Sequence, residues 1–114
     1  MDDVERQVEA YNAGDVDAFI ACYAQEVVFE DADGGLQTSG RDEMRKRYGE
    51  LFASCPNLRA EIPSRIRVGS YVVDEERVSG FPGGDLHAVA IYRLDHEGLI
   101  ARPASSADSA AQGP

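Results

Sequence analysis

The feature that most constrains this chain is a change of hydrophobic period at Pro56. Before it, apolar residues recur at helical spacing in three stretches; after it, they alternate, as strands do. Val4, Val8 and Tyr11 fall at i, i+4 and i+7, which predicts a helix over 3–13 with Gly14 as its closing residue. Asp15 is placed to cap a second helix whose apolar face is Val16, Phe19, Ile20 and Tyr23, with Asp17 favoured in its first turn by the helix dipole. Met44, Tyr48, Leu51 and Phe52 predict a third helix over 41–54, with Glu43 and Arg47 as an i,i+4 pair on its outer face. Pro56 stops it.

Between the second and third helices, 27–31 is rich in strand formers and runs into the turn signal Asp33-Gly34-Gly35. Residues 36–39 then return as a short strand. Past Pro56, Leu58, Ala60 and Ile62 alternate with Arg59 and Glu61; Pro63 marks a bulge or an edge, and Ile66 and Val68 resume the alternation. A further strand is predicted over 71–80, with a turn at Phe81-Pro82-Gly83-Gly84. The strongest strand signal is 86–94. Leu86, Ala88, Ala90, Tyr92 and Leu94 share one face, and His87, Val89, Ile91 and Arg93 share the other. Both faces carry enough apolar residues to predict that both are covered. A turn over 95–98 leads to a last short strand over 99–102. Residues 103–114 lack aromatic and branched aliphatic side chains, which predicts an irregular or disordered tail beyond a domain of residues 1–102.

The element order is therefore α-α-β-β-α-β-β-β-β. It predicts an α+β fold, three helices on one face of a curved antiparallel sheet, with room for a pocket on the concave side. At 114 residues the chain allows one domain. Twenty-one acids against 11 bases give a net charge of −10, of which −9 lies in residues 1–35. That sign argues against nucleic acid and against anionic membrane surfaces. No apolar run approaches a membrane span, and Met1-Asp2-Asp3 is unlike a secretory leader, so a cytoplasmic protein is expected. Cys22 and Cys55 have no metal-ligand or redox spacing and read as small core residues. No metal site and no cofactor is expected. Arg41, Arg45 and Arg47 read either as a solvated helix face or as a patch for an acidic ligand.

The strings from Tyr11 to Phe19 (YNAGDVDAF) and from Tyr23 to Asp31 (YAQEVVFED), followed by Ser39-Gly40-Arg41-Asp42 opening a helix that contains Tyr48, resemble the nuclear-transport-factor-2-like superfamily, in particular its SnoaL-like and ketosteroid-isomerase-like members. The resemblance covers residues 4–102. It implies a conical half-barrel with a deep pocket and dimers formed on the outer sheet face, but does not select one chemistry, because the fold hosts many. Asp31 corresponds to the catalytic base of ketosteroid isomerases, a carboxylate that moves a proton next to a carbonyl. Period two independently places it with Val27 and Phe29, where desolvation would make it a better base; its other reading is a turn-capping carboxylate. Tyr23 and Tyr48 match pocket tyrosines, or are ordinary core. The direct oxyanion-hole tyrosine corresponds to Gln7, and the protonated aspartic acid beside it to Ala90, so authentic ketosteroid isomerase activity is not expected. Asp74 and Glu76 share a strand face with Val72 and Val78, which lets Glu76 reach the pocket. Phe19, Phe29, Phe52, Ala90 and Tyr92 are its expected walls. His87 is expected in a dimer contact and His96 in a solvated turn.

Two functions fit. One is an enzyme of isomerase or cyclase type, free of cofactors, acting with a carboxylate base on an apolar carbonyl-type molecule. The other is a non-catalytic ligand-binding or dimeric association domain. In both, the partners are a small apolar organic ligand and a second copy of the chain.

Overall fold

A computed structural model of the chain describes residues 2–31, 37–101 and 104–108; the side chains of 29–31, 37 and 104–108 lie outside that description, as do the expected turn at Asp33-Gly34-Gly35 and the end of the tail. Helix α1 spans Asp3–Ala13, α2 Val16–Ile20 and α3 Gly40–Ser54. The strands are β1 (Val28–Asp31), β2 (Gln37–Ser39), β3 (Arg59–Val68), β4 (Tyr71–Ser79), β5 (Leu86–Arg93) and β6 (Ala104–Asp108). They form one sheet in the order β2-β1-β6-β5-β4-β3. All neighbours are antiparallel except β1 and β6. The α+β half-barrel expected from the sequence is the observed fold.

The helix punctuation follows from local chemistry. Gly14 adopts φ 68°, a left-handed conformation open to glycine, and its N–H closes α1 on Ala10 and Tyr11. The Asp15 carboxylate then accepts from the Ala18 N–H at 3.1 Å to start α2. The expected Glu43–Arg47 pair does not form. Glu43 instead reaches back to the Ser39 N–H at 3.2 Å, where a free helix-terminal donor needs an acceptor, and Arg47 donates to Thr38 Oγ1 at 2.7 Å. Arg41 donates to the Tyr23 carbonyl and Arg45 pairs with Asp17. The arginines are thus tied to this chain's own groups and do not form an open anion patch.

The interior lies between the helices and the inner sheet face. Val4, Phe19, Ile20, Cys22, Tyr23, Val27, Met44, Val72, Ala90, Tyr92 and Ile100 form its main cluster, and Cys55, Leu58, Ala60 and Val78 a second one. Asn12 joins α1 to β3 by donating to the Ala60 carbonyl at 3.0 Å and accepting from the Ala60 N–H at 2.6 Å. Gly80 has φ 102°, and a Cβ there would collide with the Asn57 carbonyl, so the entry to β3 and the exit of β4 meet through glycine.

Three expectations of the sheet change. Pro63 does mark a bulge, and its consequence reaches further than the local irregularity. The register of β3 against β4 shifts between Glu61 and Ser64, so the parity of the strand flips. Ile66 and Val68, read as the continuing apolar face, are 61% and 68% exposed on the outer face, and Arg65 turns inward. The second change concerns the chain's end. Residues 99–101 contribute only bridges from Ile100 to Tyr23 and Leu94, while the segment expected to be irregular supplies β6 between β1 and β5. Small Ala and Ser side chains give no periodic signal, but a strand there pairs the facing backbone edges of β1 and β5, which otherwise would leave buried donors and acceptors without partners.

The outer face of β5 is also less covered than expected. His87 and Arg93 are exposed, and Val89 and Ile91 are half-buried, and no element among the described residues packs over them. No helix among the described residues is long and apolar enough to cross a membrane.

Candidate functional site

Every inward position of β4 and β5 can be read from their register. Val72, Asp74, Glu76 and Val78 oppose Tyr92, Ala90, Ala88 and Leu86. Two carboxylates therefore stand on the apolar side of the sheet. Asp74 is fully buried and is held by a bidentate Arg65, Nε to Oδ1 at 2.6 Å and a terminal nitrogen to Oδ2 at 2.9 Å. This pair answers the desolvation of each partner.

Among the described residues no cation pairs with Glu76. Its Oε2 accepts from the Tyr92 hydroxyl at 3.1 Å. That hydroxyl accepts from the Gln7 Nε2 at 3.2 Å, and the Gln7 Oε1 accepts from the Tyr23 hydroxyl at 3.3 Å. Donation runs one way, Tyr23 to Gln7 to Tyr92 to Glu76. Each phenol has a single proton, so the chain needs Glu76 as an acceptor at its end. Burial pushes the Glu76 carboxyl up to about 7 against the hydrogen bond from Tyr92; the nearby Asp74 adds to the rise and Arg65 opposes it. Burial raises both Tyr23 and Tyr92 well above the ordinary phenol value, so both stay protonated donors. No described side-chain polar atom is both buried and unpartnered, and Oε1 of Glu76 has no partner among the described residues. That oxygen is therefore the accessible end of a carboxylate whose other end is fixed.

The expected walls divide. Phe19 is fully buried and packs its ring 4.7 Å from Tyr48, 5.2 Å from Tyr23 and 5.7 Å from Phe52. It supports the site from behind. Tyr48 and Phe52 are half-buried and edge the interior. Ala90 is buried opposite Asp74, and Tyr92, expected as wall, is the polar link between Gln7 and Glu76. Asp31 sits in β1 opposite Ser106, which opposes Ala90 in turn, so one register row runs Asp31–Ser106–Ala90–Asp74–Arg65. Phe29 pairs with Thr38 and Ala104. The side chains of Asp31 and Phe29 lie outside the described residues. Among the described residues no group of three or more His, Cys, Asp and Glu is placed to hold a metal.

The sequence signals differ in strength. Gln7, a polar residue on the buried stripe between Val4 and Tyr11, entered only through the family resemblance, whereas Glu76, an acid between Asp74 and Val78 on an apolar face, is a legible anomaly. The Tyr92 hydroxyl and the Arg65–Asp74 pair were not, since one looks like wall and the other depends on the flipped parity of β3. His87 lies on the outer face as expected, with Nε2 2.7 Å from Glu75, and His96 is exposed.

The comparisons agree with this architecture. A solved protein of cystatin fold from Novosphingobium aromaticivorans superposes with TM-score 0.78 at 23% identity, over 94% of each chain. A candidate polyketide cyclase from Sinorhizobium meliloti gives 0.76 at 21%, over 94% of this chain and 93% of that one. A protein with a ketosteroid isomerase-like fold from Catenulispora acidiphila, solved with trimethylamine, gives 0.75 at 19%, over 94% and 83%. At these identities the likeness is one of fold. None of the curated proteins matches the chain. The sequence pattern of the SnoaL-like domain matches residues 4–102, and the chain belongs to that family.

Proposed function

We propose that this protein binds a small apolar carbonyl compound in the cone and moves a proton on it, with Glu76 as the carboxylate. The observation that carries this reading is the state of Glu76, titrating near 7 with Oε2 anchored by Tyr92 and Oε1 open. A base poised near the working pH combines a useful ionised fraction with a strong drive to take a proton. Asp31, at the position of the family's base, is the second carboxylate of the proposal. Its row across the sheet joins the Ala90–Asp74 pair rather than Glu76, which makes separate variants informative. The neighbour that holds trimethylamine supports a small organic ligand for this architecture.

The test is proton exchange. In deuterated buffer, 2-tetralone has acidic C–H bonds beside an apolar ring, and proton NMR follows their loss. The protein should accelerate exchange, with a rate that rises as pH passes through about 7. Glu76→Gln should return the rate to that of buffer, and Asp31→Asn shows whether the second carboxylate takes part. Equal rates for protein, variant and buffer over a panel of enolisable ketones reject the reading.

One observation favours a binding domain without turnover: Gln7 and Ala90 stand where relatives have direct oxyanion donors, and the Gln7 amide is spent on Tyr92 and Tyr23. Ketones that raise the melting temperature without exchanging would support it. In either case we assign the outer sheet face to a second copy, because Ile66, Val68, Tyr71, Val73, Val89 and Ile91 form an apolar band across β3, β4 and β5.

A further inference from the structure

Resting on the second copy assigned to the outer sheet face, we propose that the pairing of copies takes up a proton at His87 of each, so that the pair is tight below neutral pH and loosens above it. The exposed large apolar side chains among the described residues, Ile66, Val68 and Tyr71, all lie on this face. At about 3.4 Å per residue and 4.8 Å per strand, the six strands cover roughly 600 Å² in projection. One partner of a stable pair buries about 800 Å² of accessible surface, which a face of that extent with its side chains can supply. A two-fold pairing sets the same band against itself, so whatever one copy buries there is buried twice.

Among these apolar rows stands one carboxylate. Glu75 lies between Ser64 on β3 and Val89 on β5, next to the row of Ile66, Val73 and Ile91. Its Oε1 accepts from the Ser64 hydroxyl at 3.0 Å, and its Oε2 is 2.7 Å from His87 Nε2. His87 first and Ser64 second hold the Glu75 carboxyl below its ordinary range, and the Arg77 charge adds to this. Glu75 therefore stays ionised near neutral pH. The row on its other side carries Glu61, Arg77 and His87, which with Asp85 border a groove of about 400 Å³. Glu61 and Asp85 favour a charged imidazole and Arg77 opposes it. Arg77 forms no ion pair with Glu75 among the described residues. On the far side of β5, β6 faces Val89 with Ala107, and no other described element packs over this face.

In the single chain water shields this pair, since the side chains of His87 and Glu75 are 47% and 31% exposed. A second copy removes that water. An ionised carboxylate kept from water needs a cation, and the imidazole already in contact becomes one by taking a proton. The proton comes from solvent; both ring nitrogens then carry hydrogen, and Nε2–H donates to Oε2 of Glu75. With a neutral ring, each copy would instead bury an uncompensated charge. Pairing thus binds one proton per copy. The sign follows: the paired state holds the proton to higher pH than the free chain does, so its advantage is complete at low pH and is lost as pH rises and the paired ring also gives up its proton.

The chain has two histidines, so the assignment is separable. Sedimentation equilibrium of the full chain at pH 5.8, 6.8 and 7.8 should show the dimer Kd rising by about tenfold or more across the range. His87→Asn keeps a donor for Glu75 but does not titrate, and should flatten the rise; His96→Asn should leave it as in the wild type. Glu75→Gln removes the charge that needs the proton. It should pair about tenfold more tightly than the wild type at pH 7.8, the opposite of what loss of a mere contact would do. Glu76, which titrates at about 7 in the interior, is common to all four proteins and cancels in their differences. A wild-type Kd that does not change with pH, a rise that persists undiminished in His87→Asn, or weaker pairing of Glu75→Gln at pH 7.8 overturns the proposal and leaves the second copy in place. A chain that stays monomeric at all three pH values rejects the second copy and the proposal with it.

Discussion

Replacing Glu76 by Gln should stabilise the protein, and only at high pH. The carboxyl titrates near 4.5 when exposed and at about 7 in the fold. Below both values it is protonated in the folded and unfolded chain, and a neutral Gln at the same place behaves alike, still accepting from Tyr92. As pH rises past the lower value, the unfolded chain releases a proton that the folded one keeps, so the wild type loses stability with rising pH until the folded group also ionises. The gap of two to three pKa units corresponds to about 3 kcal/mol. Gln carries none of this penalty. Urea unfolding of both proteins, followed by circular dichroism at pH 4.5 and pH 8, should give nearly equal midpoints at the lower pH. At the higher one the variant should lead by about 2 M, taking a slope of about 1.5 kcal/mol/M. Other titrating groups are common to both proteins and cancel in the difference. A variant that is equally more stable, or equally less stable, at both pH values would refute burial as the origin of the raised carboxyl and remove the support for Glu76 as a poised base.

Two further outcomes follow from the sheet. Arg65→Met leaves Asp74 buried without its partner and should cost about 3–5 kcal/mol, while Arg65→Met combined with Asp74→Leu should recover most of that loss in thermal unfolding. On the outer face, light scattering at tens of micromolar should give twice the chain mass, and Ile91→Arg should halve it without loss of helix signal; a wild-type monomer at that concentration counts against the pairing face.

Much of this arrangement was legible because periodicity and helix punctuation are local. Gly14, Asp15 and Pro56 set the helix ends through the chemistry of their own backbone, and period two found β4 and β5. The fold class followed from element order. What failed was non-local. Pro63 announced a bulge, yet which side each later residue takes depends on how many residues the bulge adds against β4, and that decided Arg65 in place of Ile66. The Ala/Ser segment of β6 has no pattern to read, because its place is fixed by the unpaired edges of β1 and β5 and not by its own side chains. Within the site, Glu76 stood out as an acid on an apolar strand face, whereas Gln7 entered only through the family resemblance. Residue type could not show that Tyr92 links them, since a hydrogen bond between positions 85 residues apart exists only once α1 is packed against the sheet.

Two inner-face residues, Gln7 and Ala90, bear on why the polar groups around them are arranged as they are. With Ala at 90, the acid on that row is Asp74, and burial without a proton to share obliges it to find Arg65. With Gln at 7, an amide that donates and accepts at once stands between two phenols. It draws Tyr23 and Tyr92 into a chain that ends on Glu76. The run of donors therefore ends on β4, at Oε2 of Glu76. A Gln7→Leu change should accordingly act at a distance. It frees Tyr92 to rotate and loosens Oε2 of Glu76, while Tyr11 keeps its ring contacts with Phe19 and Phe52. The polar chemistry of this cone is thus set by who donates to whom, and Gln7 decides the order.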